Sequence, residues 1–366
     1  MTATTYEIAG SLRLALFGAD ERTARFVRAQ LEPYAPLPAD GGPVDVAIEA
    51  TPNVAADRLL DIQRSAGDGL VTAYDGSHVY VLHGGRSCAV PVVPADGTAT
   101  FAYEPGFPLR RIFGRLVRPA LQLSLLAKQA AAVHAASVVV DGGAVLFAGW
   151  AESGKTETAL AFAELGAEFL SDKWTVVGAD GTAAAFPIRV GVRRWTLAYL
   201  PRLRAALPRR ARAQLAVGRV GAAAAGPIRR VPALAQAFEL AGRVALAPAE
   251  IRAAYGHTGG GWSAPLRALV LLTTVPGSEV AAGRADAEWA ARRLARTAAF
   301  ERRRLSELYA RLRYARAADE PDPVEDAARR EVALLRDVLA TVPVLELRAP
   351  FPCDPRRVAD AIARCL

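Results

Sequence analysis

The stretch GWAESGKTETALAF, residues 149–162, decides how the rest of the chain is read. It follows the apolar run AVLFAG and passes into a helical pattern, so strand, tight loop and a helix from about 154 to 166 are predicted. Gly149, Gly154, Lys155 and Thr156 satisfy the spacing GxxxxGK[ST] of a phosphate-binding loop, in the strand-to-helix setting its mechanism requires. Glycines let successive N–H groups turn inward around phosphate oxygens, and the helix start adds partial positive charge. The compact ammonium of a lysine reaches β and γ phosphates inside such a loop, whereas the wide arginine fork needs a different cavity. That distinction matters here, because only Lys128, Lys155 and Lys173 among the 45 cationic residues are lysines. Thr156 brings the hydroxyl expected on Mg²⁺. Glu157, in the first helical turn, is either a second metal contact or a carboxylate placed there by the helix dipole.

Working outward, VHAASVVV and AVLFAG are two β-rich runs joined by a turn at Asp141 and Gly142. Downstream, EFLSD and KWTVVGAD are further short strands, with a hairpin turn at Asp180 and Gly181. APLRALVLLTT is a buried strand, 286–317 is strongly helical, DEPDPVED is an acidic break, and PVLELRAP with a final helix closes the chain. Residues 109–131 carry a helical pattern that Pro119 kinks or breaks. Residues 200–250 are rich in Ala, Arg and Pro and only weakly helical. GAAAAGP and GHTGGGW are either surface loops or lids over a substrate. Before residue 105, strand, helix and strand patterns lead into a meander punctuated by DG and GG turns. The reading is therefore a small N-terminal α+β domain over 1–108 and an α/β nucleotide-binding domain over 109–366.

Composition narrows the class. A 366-residue chain with 52% hydrophobic residues can bury a substantial core, and no apolar run reaches the roughly 18 residues needed to span a bilayer. The N-terminus lacks the pattern of a secretory signal, so a cytoplasmic protein with no membrane partner is expected. Cys88, Cys353 and Cys365 form no CxxC pair and suggest neither a disulfide framework nor zinc. His78 and His83 lack a third ligand. The net charge of +8 comes from arginine-rich helical faces without interleaved aromatics, so no nucleic-acid partner is expected.

The segment VHAASVVVDGGAVLFAGWAESGKTETALAFAELGAEFLSDKW resembles the catalytic core of HPr kinase/phosphorylase, a bacterial serine kinase sharing its fold with ATP-dependent phosphoenolpyruvate carboxykinase. In that family a histidine precedes the loop, the loop reads GxSGxGKSETAL, and a pair of aspartates ends the next strand. Here His134 stands 15 residues before Gly149, SGKTETAL covers 153–160, and Asp172 lies 23 residues after Gly149. The match is close over 130–190 and loose beyond. The resemblance implies a P-loop kinase fold with a mixed sheet, using ATP and Mg²⁺ to phosphorylate a hydroxyl, foremost a serine of a peptide or protein. By it, Gly149, Glu152, Ser153, Gly154, Lys155, Thr156 and Glu157 bind nucleotide, Thr156, Glu157 and Asp172 serve the metal, and His134, Asp172 and Lys173 line the transfer site. It also implies that a homo-oligomer is possible. A core histidine and a strand-end turn residue are the alternative readings of His134 and Asp172.

Lys173 departs from the family, replacing the second aspartate and changing the local charge by two units. It either neutralises transition-state charge beside Asp172 or weakens transfer, which leaves a nucleotide-gated binding module as a competing class. A kinase or phosphorylase acting on a small metabolite is the third. The N-terminal unit gives no sign of the HPr enzymes' regulatory domain, so HPr itself is not assumed as substrate.

Overall fold

Alternating apolar residues before position 105 give strands at the places the pattern predicts. The protein is described from a computed structural model at residues 3–38, 41–54, 61–64, 71–75, 78–91, 98–223, 242–317 and 322–366. Strands β1 (Ala3–Ile8) and β2 (Leu12–Phe17) form an antiparallel hairpin, and Asp20 caps helix α1 (Glu21–Leu31) by accepting the Thr23 N–H at 2.7 Å. Strand β3 (Val46–Ala50) runs parallel to β2. Strands β4 (Asp61–Arg64), β5 (Val71–Tyr74), β6 (Val79–His83), β7 (Arg86–Val90) and β8 (Ala99–Tyr103) then return as an antiparallel meander, which closes against β3 in the order β1-β2-β3-β8-β7-β6-β5-β4. Tyr6, Leu14, Val27, Ile48, Phe101 and Phe113 are buried in this unit.

The helical pattern from 109 resolves into a 3₁₀ turn (Leu109–Arg111), a π-helical turn (Phe113–Val117) and helix α2 (Arg118–Ala127). Pro119 falls in the first turn of α2, directly after the π-helical turn, so the helical stretch changes form where the proline stands. Helix α2 packs on β2 and β3 and leads to β9 (Ala130–Val133). The helical region 286–317 is two helices, Ala287–Glu301 and Arg303–Arg316, meeting at Arg302. Arg302 is fully buried: its Nη1 pairs with Glu331 at 2.7 Å and its Nε donates to Gln122 Oε1 at 2.9 Å. Residues 109–132 and 291–337 accordingly belong with the N-terminal strands in one compact unit, and 133–290 with 338–366 form the second. The sequence-based division at 108 is thus not where the compact units part.

The second unit is built around the strand that precedes the loop. Asp141 and Gly142 take φ of 49° and 77°, as a two-residue hairpin turn requires, and join β10 (Ala135–Val140) to β11 (Gly143–Gly149). Strands β12 (Glu168–Ser171), β13 (Thr175–Gly178) and β14 (Thr182–Ala185) follow, then the arm β15 (Val190–Arg193) with β16 (Arg243–Leu246), and finally β17 (Ser263–Thr274), β18 (Ala281–Arg284) and β19 (Val344–Ala349). Strand β17 is parallel to β11 and to β19, while β10, β12, β13, β14 and β18 join antiparallel, so the sheet is mixed. Helix α3 (Lys155–Glu164) and a C-terminal helix, α4 (Pro355–Ala363), pack together, and α3 contacts β10 and β11. Phe147 on β11 meets Phe162 on α3 with ring centroids 5.0 Å apart, inside a core that includes Phe169, Val270 and Leu347. The chain is thus a mixed α/β protein, and among the described residues no helix is long and apolar enough to cross a membrane.

The GHTGGGW segment is pinned. Arg252 is buried, stacks 3.7 Å from the Trp262 ring, pairs with Glu168 at 2.7 Å and donates to the Gly261 carbonyl at 3.0 Å. Of GAAAAGP, residues 221–223 end a helix (Arg209–Ala223), and 224–227 lie outside the described residues, as do Gly76 of the first hairpin turn and 319–321 of the acidic break.

Candidate phosphate-binding site

The loop begins where β11 ends, because Gly149 admits nothing larger. A Cβ there would stand 2.5 Å from Ser153 Oγ and 2.6 Å from the Leu272 carbonyl of neighbouring β17. At the other end, Gly154 takes φ of 87° and precedes the first residue of α3, with the Phe351 ring 3.4 Å from where its Cβ would be. Between them Glu152 holds φ of 60°, a left-handed conformation uncommon for a residue with a side chain. The six residues from Gly149 to Gly154 are therefore bent into a tight cradle before the helix starts.

Lys155 folds over that cradle. Its Nζ donates to the carbonyl oxygens of Gly149 at 3.0 Å and Trp150 at 2.6 Å, so the ammonium is held inside the loop instead of reaching solvent. Thr156 donates its hydroxyl to Asp172 Oδ1 at 2.7 Å, which joins the first turn of α3 to the residue following β12. Ser153 Oγ is buried with no hydrogen-bond partner among the described residues. A buried hydroxyl without a partner costs free energy, so a ligand oxygen in the loop would relieve it.

Asp172, Lys173 and Trp174 make a tight three-residue turn. The Trp174 N–H donates to the Asp172 carbonyl at 2.6 Å across Lys173, whose φ is 62°. Glu152 and Lys173 are thus two side-chain-bearing residues with left-handed backbone at one site, a kind of strain that gathers where function requires it. Asp172 is buried, and burial raises its carboxyl above the ordinary range against the Thr156 hydrogen bond, the Lys173 N–H and the charges of Lys155 and Arg243. Burial also raises Glu157, aided by the charge of Asp172 and opposed by Arg193 and Lys155. His134 is buried with its ring centroid 5.3 Å from that of Trp174, and its Nδ1 has no hydrogen-bond partner among the described residues. Burial first, then the charges of Lys155 and Lys173, lower its pKa to about 2, so the imidazole is neutral.

The residues named from sequence therefore gather in one region: loop residues 149–157, Asp172 and the Lys173 turn, with His134 close enough to feel both lysines. Lys173 itself is exposed. Sequence reasoning missed Arg193 and Arg243. They sit opposite each other on β15 and β16, and Arg193 Nη2 pairs with Glu152 of the loop at 2.6 Å. Only the pairing of two strands fifty residues apart brings them there, and no local pattern signals it. An apolar hollow beside the loop is lined by Gly154, Leu272, Leu347, Phe351 and Val358.

Among the described residues no group of three or more His, Cys, Asp or Glu side chains is arranged to hold a metal by itself. A Mg²⁺ bound with nucleotide needs only one or two protein ligands beside phosphate oxygens, and the adjacent Thr156 hydroxyl and Asp172 carboxylate fit that demand. No protein-family model matches the chain, and no curated protein is significantly similar to it.

Proposed function

We propose that the protein is an ATP- and Mg²⁺-dependent phosphotransferase with a P-loop fold of the HPr kinase/phosphoenolpyruvate carboxykinase type, acting on a hydroxyl, foremost a serine of a peptide or protein. The observation that carries this reading is the 2.7 Å bond between Thr156 and Asp172 at the mouth of a loop whose lysine is folded inward. When bound, magnesium nucleotide supplies the phosphoryl group, which leaves the bridging oxygen as its bond to the acceptor oxygen forms. The loop amides and Lys155 hold phosphate oxygens, and Thr156 with Asp172 holds the cation, with Glu157 beside them. With the cation held through water, Asp172 keeps an oxygen to orient the acceptor hydroxyl and take its proton. Neutral His134 gives the site an uncharged wall against Trp174. Labelling of candidate peptide and protein acceptors with γ-labelled ATP tests the proposal; undiminished labelling by Lys155→Ala and Asp172→Asn variants would falsify it.

One observation favours a second reading. Lys173 is exposed where the kinase family carries its second aspartate, which suits a module that binds magnesium nucleotide without transferring phosphate. That module predicts tight binding and no Asp172-dependent product.

A further inference from the structure

Strands β15 and β16 form an antiparallel arm in which Val190, Val192, Val244 and Leu246 are buried. The other face carries Gly191, Arg193, Arg243 and Ala245, and the register sets Arg193 directly opposite Arg243. Like charges facing each other across a ladder destabilise it, so packing gives no reason for this pair. Gly191 permits the arrangement: a Cβ there would overlap the Arg243 guanidinium, which lies across the strand where a side chain would otherwise be. The Arg243 side chain makes no hydrogen bond or ion pair among the described residues. Its charge bears on Asp172, and that of Arg193 bears on Glu157.

Arg193 is tied to the loop itself through Glu152, with both side chains partly open to solvent. A carboxylate inside a phosphate-binding loop repels the ligand the loop is shaped for, unless a cation offsets it. One guanidinium thus contacts the loop between Gly149 and Lys155, and the other acts on the carboxylate bonded to Thr156. Both bear on the end of the site where a terminal phosphate would stand.

We infer that Arg193 and Arg243 form a paired clamp for the γ-phosphate, with the Glu152–Arg193 ion pair acting as a latch that the nucleotide opens. The clamp rests on the phosphotransferase reading, and it adds a sensor that tells a nucleoside triphosphate from a diphosphate. Arginine suits the task because its fork bonds two phosphate oxygens at once.

The test is the affinity of MgATP and of MgADP, measured by calorimetry on the full chain, so no acceptor is needed. The parent protein should prefer MgATP. Arg193→Gln and Arg243→Gln should each lower that preference by about tenfold to a hundredfold, the worth of a charge-assisted hydrogen bond, while MgADP affinity holds. Glu152→Gln should raise the preference, because it frees Arg193 and removes a repelling charge. An ion pair with a purely structural role predicts loss from either partner, so the opposite signs are the signature, and Glu152→Gln decides the matter if an arginine variant does not fold. An unchanged preference in the arginine variants, equal weakening of both nucleotides, no gain from Glu152→Gln, or a parent that binds both alike overturns the clamp and leaves nucleotide binding standing. A parent that binds neither overturns the phosphotransferase reading together with the clamp.

Discussion

The Thr156 hydroxyl and the Asp172 carboxylate are hydrogen-bonded at 2.7 Å, 16 residues apart in sequence and on different elements. If they act as one cation-holding unit, their removal is not additive. Thr156→Val and Asp172→Asn should each lower phosphotransfer by about a hundredfold or more, and the double variant should be little worse than the poorer single one. Single-turnover transfer of labelled phosphate measures it, and additive losses would separate the two residues.

Asp172 and Glu157 have carboxyl groups raised by burial, which fixes the sign of two pH effects. Activity that needs them ionised should have its acid limb above the usual carboxylate range. Stability runs the other way: as pH rises from the unfolded to the folded pKa, the folded state retains protons the unfolded state has released, so stability falls and the cost persists above that window. Asp172→Asn should therefore be more stable than the parent at neutral pH, with a flatter pH dependence, while losing transfer. Melting curves across pH 4 to 8 are the check.

Lys155 satisfies two loop carbonyls, and in the phosphotransferase reading it also holds phosphate oxygens. Lys155→Ala should abolish detectable MgATP binding, and Lys155→Arg should not restore it, since the guanidinium is too wide for the cradle. Calorimetric titration of folded variants decides this; recovery by arginine would show that charge alone suffices.

At Lys173 the backbone and the ammonium are separable. Glycine accepts φ of 62° without strain, so Lys173→Gly keeps the turn and deletes the charge. Phosphotransfer should fall about tenfold with the melting temperature nearly unchanged, if the ammonium offsets charge during transfer. Unaltered transfer would make the lysine a surface residue.

Far from the loop in sequence, Arg302 and Glu331 are a fully buried ion pair, and burial pushes the Glu331 carboxyl up against the pull of Arg302. Glu331→Ala should cost about 3 to 5 kcal/mol, because it leaves a buried guanidinium without its counter-charge, whereas joint replacement by Met at 302 and Leu at 331 should cost far less. Urea unfolding distinguishes the cases.

The elements legible in sequence were those with local causes. The Asp141–Gly142 turn, the loop glycines and the start of α3 follow from backbone conformations that few residues accept. Asp172 was picked out through the family resemblance, 23 residues beyond Gly149, and no local pattern marks it. The β15–β16 arm was hidden, since its partners are joined by fifty residues of weak pattern. The region 286–317 read as strongly helical with no break marked at Arg302, because Arg302 looks like any surface arginine until Glu331 and Gln122 are brought around it. Pro119 was legible for a local reason: a proline interrupts the helical hydrogen-bond ladder, and the π-helical turn gives way to α2 where it stands.

Strand β19 gives this topology a consequence during biosynthesis. It pairs in parallel with β17, the strand that also flanks β11, yet it is made some seventy residues later, after a long excursion into the other unit. Until residue 349 has left the ribosome, the edge of β17 stands bare beside the glycine loop that follows β11. Nascent chains of this protein must therefore hold an unfinished sheet through the synthesis of three helices, a stage at which chaperone capture would be most useful.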